Sequence, residues 1–150
     1  MPKRNINFTK AFTLVELVVV IGILAILLSI VLVAVNPSRQ FSQANNTQRR
    51  SDVNAILNAV TQYAADNRGA LPTGIAATAK NIGSGVGDAD ICADLVSDYI
   101  ASMPYDPTTG AFTDCTDYDT GYNIVKSASN NRITVSAPDA ENSETISITR

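Results

Sequence analysis

Residues 12–35 read FTLVELVVVIGILAILLSIVLVAV, an apolar run of 24 residues that a single charged side chain interrupts. About 20 apolar residues are enough for a helix to span a bilayer, whereas the apolar region of an ordinary signal peptide has only about 7–15. Lys3, Arg4 and Lys10 precede the run, and positive residues tend to stay on the cytoplasmic side. The sequence therefore predicts a membrane-spanning helix, with the chain after residue 35 outside the cytoplasm.

The interrupting charge is Glu16, which lies five residues into the apolar run. A carboxylate in hydrocarbon is costly, and acidic residues in membrane segments are candidates for functional sites. The alternative is that Glu16 lies at the membrane boundary and extends its carboxylate into water. The residues around it favour a functional role.

Residues 10–17 read KAFTLVEL, which resembles the leader-peptidase site of type IV prepilins and pseudopilins. In that family a short basic leader ends in a small residue, and a peptidase cuts before Phe and then methylates the new amino group. The resemblance implies a leader recognised at Lys10, cleavage between Ala11 and Phe12, and methylation of Phe12. Glu16 then becomes the fifth residue of the mature chain, the position that the family reserves for it. The family usually has Gly before the cut, and Ala11 is also small.

Glu16 has a physical role in such a filament. Apolar helices that pack together leave a carboxylate without water, and a buried charge needs a partner. Cleavage creates a cation, the α-amino group of Phe12. We expect Glu16 to pair with this group on a neighbouring subunit and so to set the register of an incoming subunit.

A second helix is predicted for residues 38–67, because apolar side chains recur there at spacings of three and four. They are Val53, Ile56, Leu57, Val60 and Tyr63 or Ala64. This stripe is interpreted as core. Arg49 and Arg50 are assigned to the solvated face, and a subunit contact is the alternative for them. Ser38 is expected to cap the start and Gly69 to close the end.

The two helices are expected to form one spine in two halves, with a kink between them. Pro37 removes a backbone hydrogen bond inside a helix and predicts a kink there. Asn36 is biased away from helical angles by the proline that follows it.

The rest of the chain predicts a small α/β region. Residues 69–87 are interpreted as a loop, and residues 89–101 as a short helix. Alternating apolar residues predict strands over 121–128, 132–137 and 145–149. Asn130 and Asn131 suit a tight hairpin turn, because Asn tolerates positive φ.

The predicted fold class is α+β: a long N-terminal helical spine, kinked near Pro37, with a three-stranded antiparallel β-meander laid over its second half. The chain is divided into a leader, a membrane or filament-core helix, its amphipathic continuation and a globular domain. Their ranges are residues 1–11, 12–35, 36–68 and 69–150.

The two cysteines, Cys92 and Cys115, are predicted to form one disulfide, as a single pair in an exported domain suggests. Two free buried thiols are the alternative. Asp114, Asp117 and Asp119 are weak candidates for a Ca²⁺ site, because hard cations take oxygen ligands from acidic loops. A solvated acidic loop is the favoured interpretation, so no metal and no other cofactor is assigned.

Composition argues against several function classes. The protein has no His, the commonest general base, and no convincing nucleophile with a base, so we do not expect an enzyme. The glycine-rich residues 83–87 lack the Lys and Ser/Thr of a phosphate-binding loop. Without residues 1–11 the chain keeps 8 basic and 14 acidic residues, and this acidic balance gives no reason to expect nucleic-acid binding.

The resemblance implies a structural subunit of an extracellular type IV pilus-like filament. Its partners would be the membrane before assembly, a prepilin peptidase, an assembly platform driven by a separate ATPase, and other copies of the chain. The subunit would begin as a single-pass protein of the cytoplasmic membrane and end in an extracellular filament. A pseudopilin of a type II secretion or DNA-uptake system is the alternative within the family. A single-span membrane protein that displays a binding domain is the alternative from another class.

Overall fold

A computed structural model describes residues 12–150 of the chain. The predicted leader, including Lys10 and Ala11, lies outside these residues. The chain divides into two compact units, and the boundary falls between Gln40 and Phe41.

The first unit contains helix α1 (Leu14–Val35), which has 22 residues and is therefore about 33 Å long. Residues Leu14–Ala34 have a mean hydropathy of 3.4, so this helix is long and apolar enough to cross a membrane. Its large apolar side chains from Leu14 to Val33 are all more than half exposed. These exposed side chains are available to contact lipid or other protein chains.

The expected kink near Pro37 is a break between two helices. Asn36, which ends α1, takes the left-handed conformation with φ 44°. Helix α2 (Pro37–Asp66) then begins at the proline itself, and its first backbone N–H groups, from Arg39 and Gln40, donate to the Asn36 carbonyl. Proline is favoured at the first helical position because its missing N–H would have no partner there. The predicted interruption of the helical spine near Pro37 is therefore confirmed, but Asn36, not Ser38, precedes the first residue of α2.

The second unit is built on the C-terminal part of α2 and an antiparallel sheet. Its elements after α2 are β1 (Lys80–Gly83), α3 (Cys92–Leu95), β2 (Ala111–Asp114), β3 (Asp117–Lys126), β4 (Ile133–Ala137) and β5 (Ile146–Thr149). The sheet order is β1-β3-β4-β5, and β2 pairs with the start of β3. The α+β class and the meander of the last three strands are confirmed. The sheet has five strands, not three.

Two of the expected segments differ from the structure. Residues 69–87 are not all loop, because Lys80 and Gly83 in β1 pair with Ile124 and Asp119. The helix expected over 89–101 is a single turn, because Val96 is extended and Ser97 has φ 83°. The short apolar runs in these segments contribute side chains to the core, but their spacing does not follow a regular helical or strand period.

The core joins the apolar stripe of α2 to one face of the sheet. Val53, Ile56, Leu57 and Val60 are buried as predicted, and Tyr63 is half-buried against them. Alternate residues of β3 and β4 face this stripe, since successive side chains of a strand point to opposite faces. They include Tyr122, Ile124, Ile133, Val135 and Ala137, all buried.

Two turns that were predicted from the sequence are confirmed. Gly69, with φ 87°, donates its N–H to the Ala64 carbonyl and closes the end of α2. Asn131, with φ 58°, makes the turn between β3 and β4, and its N–H donates to the Ser127 carbonyl.

A disulfide joins Cys92 at the start of α3 to Cys115 in the β2–β3 turn, with 5.3 Å between the Cα atoms. It ties a one-turn helix, which is unstable by itself, to the edge of the sheet. The residues between the two cysteines include all of β2.

Replacing both cysteines by serine should lower the free energy of unfolding by about 3–4 kcal/mol, because the unfolded chain regains the entropy of an open loop of that length. Denaturant unfolding of the purified chain in detergent, followed by tyrosine fluorescence, measures this loss. Ser102→Ala, at an exposed position between the cysteines, serves as the control and should change stability little. Thiols that react in the unreduced, denatured wild type would show that the bridge does not form.

Candidate functional site

The candidate site is the amino end of α1, where Thr13 and Glu16 form a reciprocal capping box. Thr13 is extended, with φ −82° and ψ 153°, and its Oγ1 accepts a hydrogen bond of 3.2 Å from the Glu16 N–H. The Glu16 carboxylate reaches back to accept two bonds, from the Thr13 N–H and Oγ1, each 2.8 Å long. Threonine followed by glutamate three residues later is the sequence signature of this cap.

The capping box fixes the position of the carboxylate relative to Phe12. Glu16 Oε2 bonds the backbone N–H of Thr13, the residue that immediately follows Phe12. An amino group created at Phe12 would therefore lie one residue from a negative charge on its own chain. The side chain of Phe12 is 90% exposed. The other residues of the predicted cleavage site, Lys10 and Ala11, lie outside the described residues.

The helix that follows satisfies its own polar groups. Ser29, inside the apolar run, donates its hydroxyl to the Ala25 carbonyl at 2.9 Å. A Cβ added at Gly22 would meet no atom within 4 Å. Since monomeric soluble proteins rarely expose a large continuous apolar surface, this helix is suited to lipid or to other helices.

The second unit contains a buried polar cluster that the sequence analysis missed. The Arg49 and Asp106 side chains are both fully buried and form a bidentate pair, with Nε to Oδ2 at 2.6 Å and Nη2 to Oδ1 at 3.0 Å. Arg49 also donates to Asn46, Thr108 and Glu141. The assignment of Arg49 to a solvated face is therefore wrong, whereas Arg50 is exposed and pairs with Glu144.

The helical spacing contained a signal for this cluster. Arg49 precedes Val53 by four residues and Ile56 by seven, which places it on the buried stripe of α2. An arginine on a core face needs an anion, and Asp106 supplies it from a distant segment. Burial raises the pKa of Asp106, but hydrogen bonds from Arg49 and Thr108 outweigh burial and hold this pKa well below its usual range.

A second buried carboxylate lies one turn farther along α2. Asp52 accepts a 2.9 Å bond from the Tyr122 hydroxyl and a 2.7 Å bond from Gln48 Nε2. Burial raises the pKa of Asp52, and the hydrogen bonds from Tyr122 and Gln48 offset only part of this effect. Burial and the neighbouring carboxylate of Asp52 raise the pKa of the Tyr122 hydroxyl. These contacts connect α2 to β3 and serve the fold.

Two carboxylates of the acidic loop, those of Asp114 and Asp119, accept hydrogen bonds within the fold. Among residues 12–150, no three His, Cys, Asp or Glu side chains are grouped so that they could hold an ion. Asp114 Oδ1 is occupied by the backbone N–H groups of Thr116 and Asp117. Asp119 Oδ1 accepts from Asn81 and Gly121.

The amino-terminal residues and the first helix contain a motif that is known from other proteins. Residues 7–32 match the family model of the prokaryotic N-terminal methylation motif. The chain therefore carries the class III leader of type IV pilins and pseudopilins. No curated protein and no solved structure is significantly similar to the chain.

The motif covers both parts of the candidate site that the structure describes. Phe12 and the Thr13–Glu16 capping box fall inside it, as does most of α1. A membrane-anchored precursor fits the apolar helix and the motif together. The second unit lies wholly outside the matched residues.

Proposed function

We propose that this protein is the structural subunit of an extracellular type IV pilus-like filament. A prepilin peptidase removes residues 1–11 and methylates Phe12, and an assembly platform then transfers the chain from the membrane into the filament. The supporting observation is the conjunction of the methylation motif over residues 7–32 with a helix whose apolar side chains are exposed on every side. Such a helix exchanges lipid contacts for helix contacts at little cost.

The acidic second unit is the part that faces solvent in this proposal. Its disulfide fits an oxidising compartment outside the cytoplasm. Glu16 acts in assembly and pairs with the α-amino group of Phe12 on a neighbouring subunit. No enzymatic step and no cofactor is assigned to the chain.

Processing is the first expected result. Protein from the native membrane or from the sheared surface fraction should begin at Phe12 and carry one extra methyl group. Intact-mass and amino-terminal peptide mass spectrometry measure both features. Ala11→Gly, which restores the residue usual in the family, should be processed at least as completely, and Ala11→Leu should block processing because the side chain is no longer small.

A chain that still begins at Met1 in cells with an active prepilin peptidase would contradict the proposal and favour a membrane-anchored binding domain. Processed chain found only in the membrane, with no sheared filaments, would favour a pseudopilin.

A further inference from the structure

The strand register locates two opposite ends of the sheet in the second unit, and these ends carry different side chains. At one end, Gly83 of β1 pairs with Asp119 near the start of β3. Lys126 is the last residue of β3, seven residues farther along the strand or about 23 Å. The loop after Gly83 and the surface around Lys126 therefore lie at opposite ends of the sheet.

The first end presents a single apolar side chain on a fixed turn. Val86 is fully exposed and occupies the second position of a turn closed by a 3.1 Å bond from the Asp88 N–H to the Gly85 carbonyl. Gly87, with φ 96°, supplies the positive angle that the third position of a type II turn requires. We call residues 84–88 the Val86 loop.

Backbone contacts hold the Val86 loop at both of its ends. The Ser84 N–H donates to the Tyr118 carbonyl at 3.0 Å, and the Ala89 N–H donates to the Asn81 carbonyl at 2.8 Å. The Asp88 carboxylate lies over Gly85, where an added Cβ would come within 2.6 Å of Oδ2. The turn is thus ordered before binding, which lowers the entropy cost of an interaction.

Carboxylates surround the Val86 loop. Asp88 belongs to it, Asp90 follows it, and Asp117 and Asp119 lie on the strand to which it is bonded. Asp90, Asp117 and Asp119 are exposed. This end of the sheet therefore combines an apolar projection with a negatively charged border.

The opposite end carries a groove of complementary character. Its volume is about 560 Å³, and its apolar lining comes from Val60, Leu71, Pro72, Ile75 and Ile133. The charged side chains that line the groove are those of Lys126 and Arg150, and no acidic side chain lines it in the described part of the chain. The exposed Arg132 lies between two lining residues, Asn131 and Ile133. We call this the basic groove.

We propose that the Val86 loop of one subunit docks into the basic groove of a second copy of this chain. The proposal rests on the proposed filament function and names the contact between the second units of neighbouring subunits. Val86 would enter the apolar groove, while Asp117 and the other carboxylates face Lys126 and Arg150. Complementary charges set the partner and the register of such a contact.

The placement of the two surfaces suits a filament. A surface that binds a different surface on the next copy forms a head-to-tail contact, which continues without limit unless the rotation closes a ring. Isolated exposed apolar side chains are common and need no explanation. Here an exposed valine, the carboxylates around it and a groove of complementary charge occur on one folded unit, and we infer the contact from these three features together.

Cross-linking tests the contact in assembled full-length chain. Cells would co-express one chain with Val86→Cys and a second, separately tagged chain with Thr73→Cys, an exposed position that lines the basic groove, and a short bismaleimide would be added to sheared filaments. A cross-linked species that carries both tags is expected. The matched control replaces Thr73→Cys by Ala101→Cys, an exposed position outside the basic groove, and should give no such species.

Charge reversal gives an independent readout. Lys126→Glu and Asp117→Lys should each reduce filament yield about tenfold or more, because like charges then face one another. The double variant should recover most of the yield. Asp98→Lys, with the same charge change at an exposed residue outside both surfaces, should assemble normally.

The outcomes separate the two proposals. Wild-type filaments that assemble but show no cross-link, together with a double variant no better than the single ones, would overturn the docking contact and leave the filament function standing. A wild-type chain that forms no filaments under conditions where it is processed would overturn both.

Discussion

Arg49→Met should lower the free energy of unfolding by about 3–5 kcal/mol, the largest stability loss that we expect from one substitution. It leaves the fully buried carboxylate of Asp106 without its bidentate partner, and an unpaired buried charge is strongly destabilising. Glu141 and Thr108 lose a hydrogen-bond donor as well. Urea unfolding of the purified chain in detergent, followed by near-ultraviolet circular dichroism, measures the loss.

Arg50→Met is the matched control, because it removes the neighbouring arginine from an exposed pair. Its side chain is 52% exposed and that of Glu144 is 36% exposed, so the loss should not exceed about 1 kcal/mol. Arg49→Met combined with Asp106→Asn should cost less than the sum of the two single changes, since no unpaired charge remains. Equal losses at the two arginines would contradict the assignment of Arg49 to the core.

The same pair predicts a pH dependence with a definite sign. The pKa of Asp106 is lowered in the folded state. Its ionised carboxylate therefore makes its full contribution to the free energy of unfolding at any pH above the ordinary Asp pKa. That contribution is lost as the pH falls through the lowered pKa, when the carboxylate is finally protonated in the folded chain. Asp106→Asn should therefore show a smaller loss of stability on acidification than the wild type.

Glu16→Ala should reduce filament yield by at least about tenfold, which corresponds to a loss of only 1.4 kcal/mol in assembly. In the proposed filament the carboxylate pairs with the α-amino group of Phe12 on the next subunit, and removal leaves that cation without a partner in an apolar surrounding. The measurement is the amount of processed chain in the sheared fraction relative to the membrane fraction.

The capping box makes a sharper control possible. Glu16→Gln keeps a side-chain oxygen that can accept from the Thr13 N–H, and glutamine is accepted at this position of a capping box. Thr13→Val removes the Oγ1 contacts and leaves the charge. If the charge governs assembly, Glu16→Gln should fail like Glu16→Ala while Thr13→Val assembles. The reverse pattern would show that Glu16 acts as a helix cap alone.

Sequence alone determined the features that depend on local chemistry. The apolar run of residues 12–35 and the motif around Phe12 and Glu16 specify the first helix and its candidate role without any distant contact. The stripe from Val53 to Val60 specifies the buried face of α2, because helical periodicity repeats within a few residues. Alternation likewise specifies the last three strands, where each strand pairs with its neighbour in the chain.

Tertiary structure alone decided the features that depend on residues far apart in the sequence. β1 is four residues long and has no clear alternation, so only its pairing with β3 makes it a strand. Helical spacing places Arg49 on the buried face of α2, but only the folded chain supplies its partner Asp106, 57 residues away. The two ends of the sheet, one with the Val86 loop and the other with the basic groove, likewise exist only once the register is set. Local periodicity fixes which face of an element is apolar, whereas long-range pairing fixes which polar groups are buried, because a buried charge is tolerated only where a distant partner meets it.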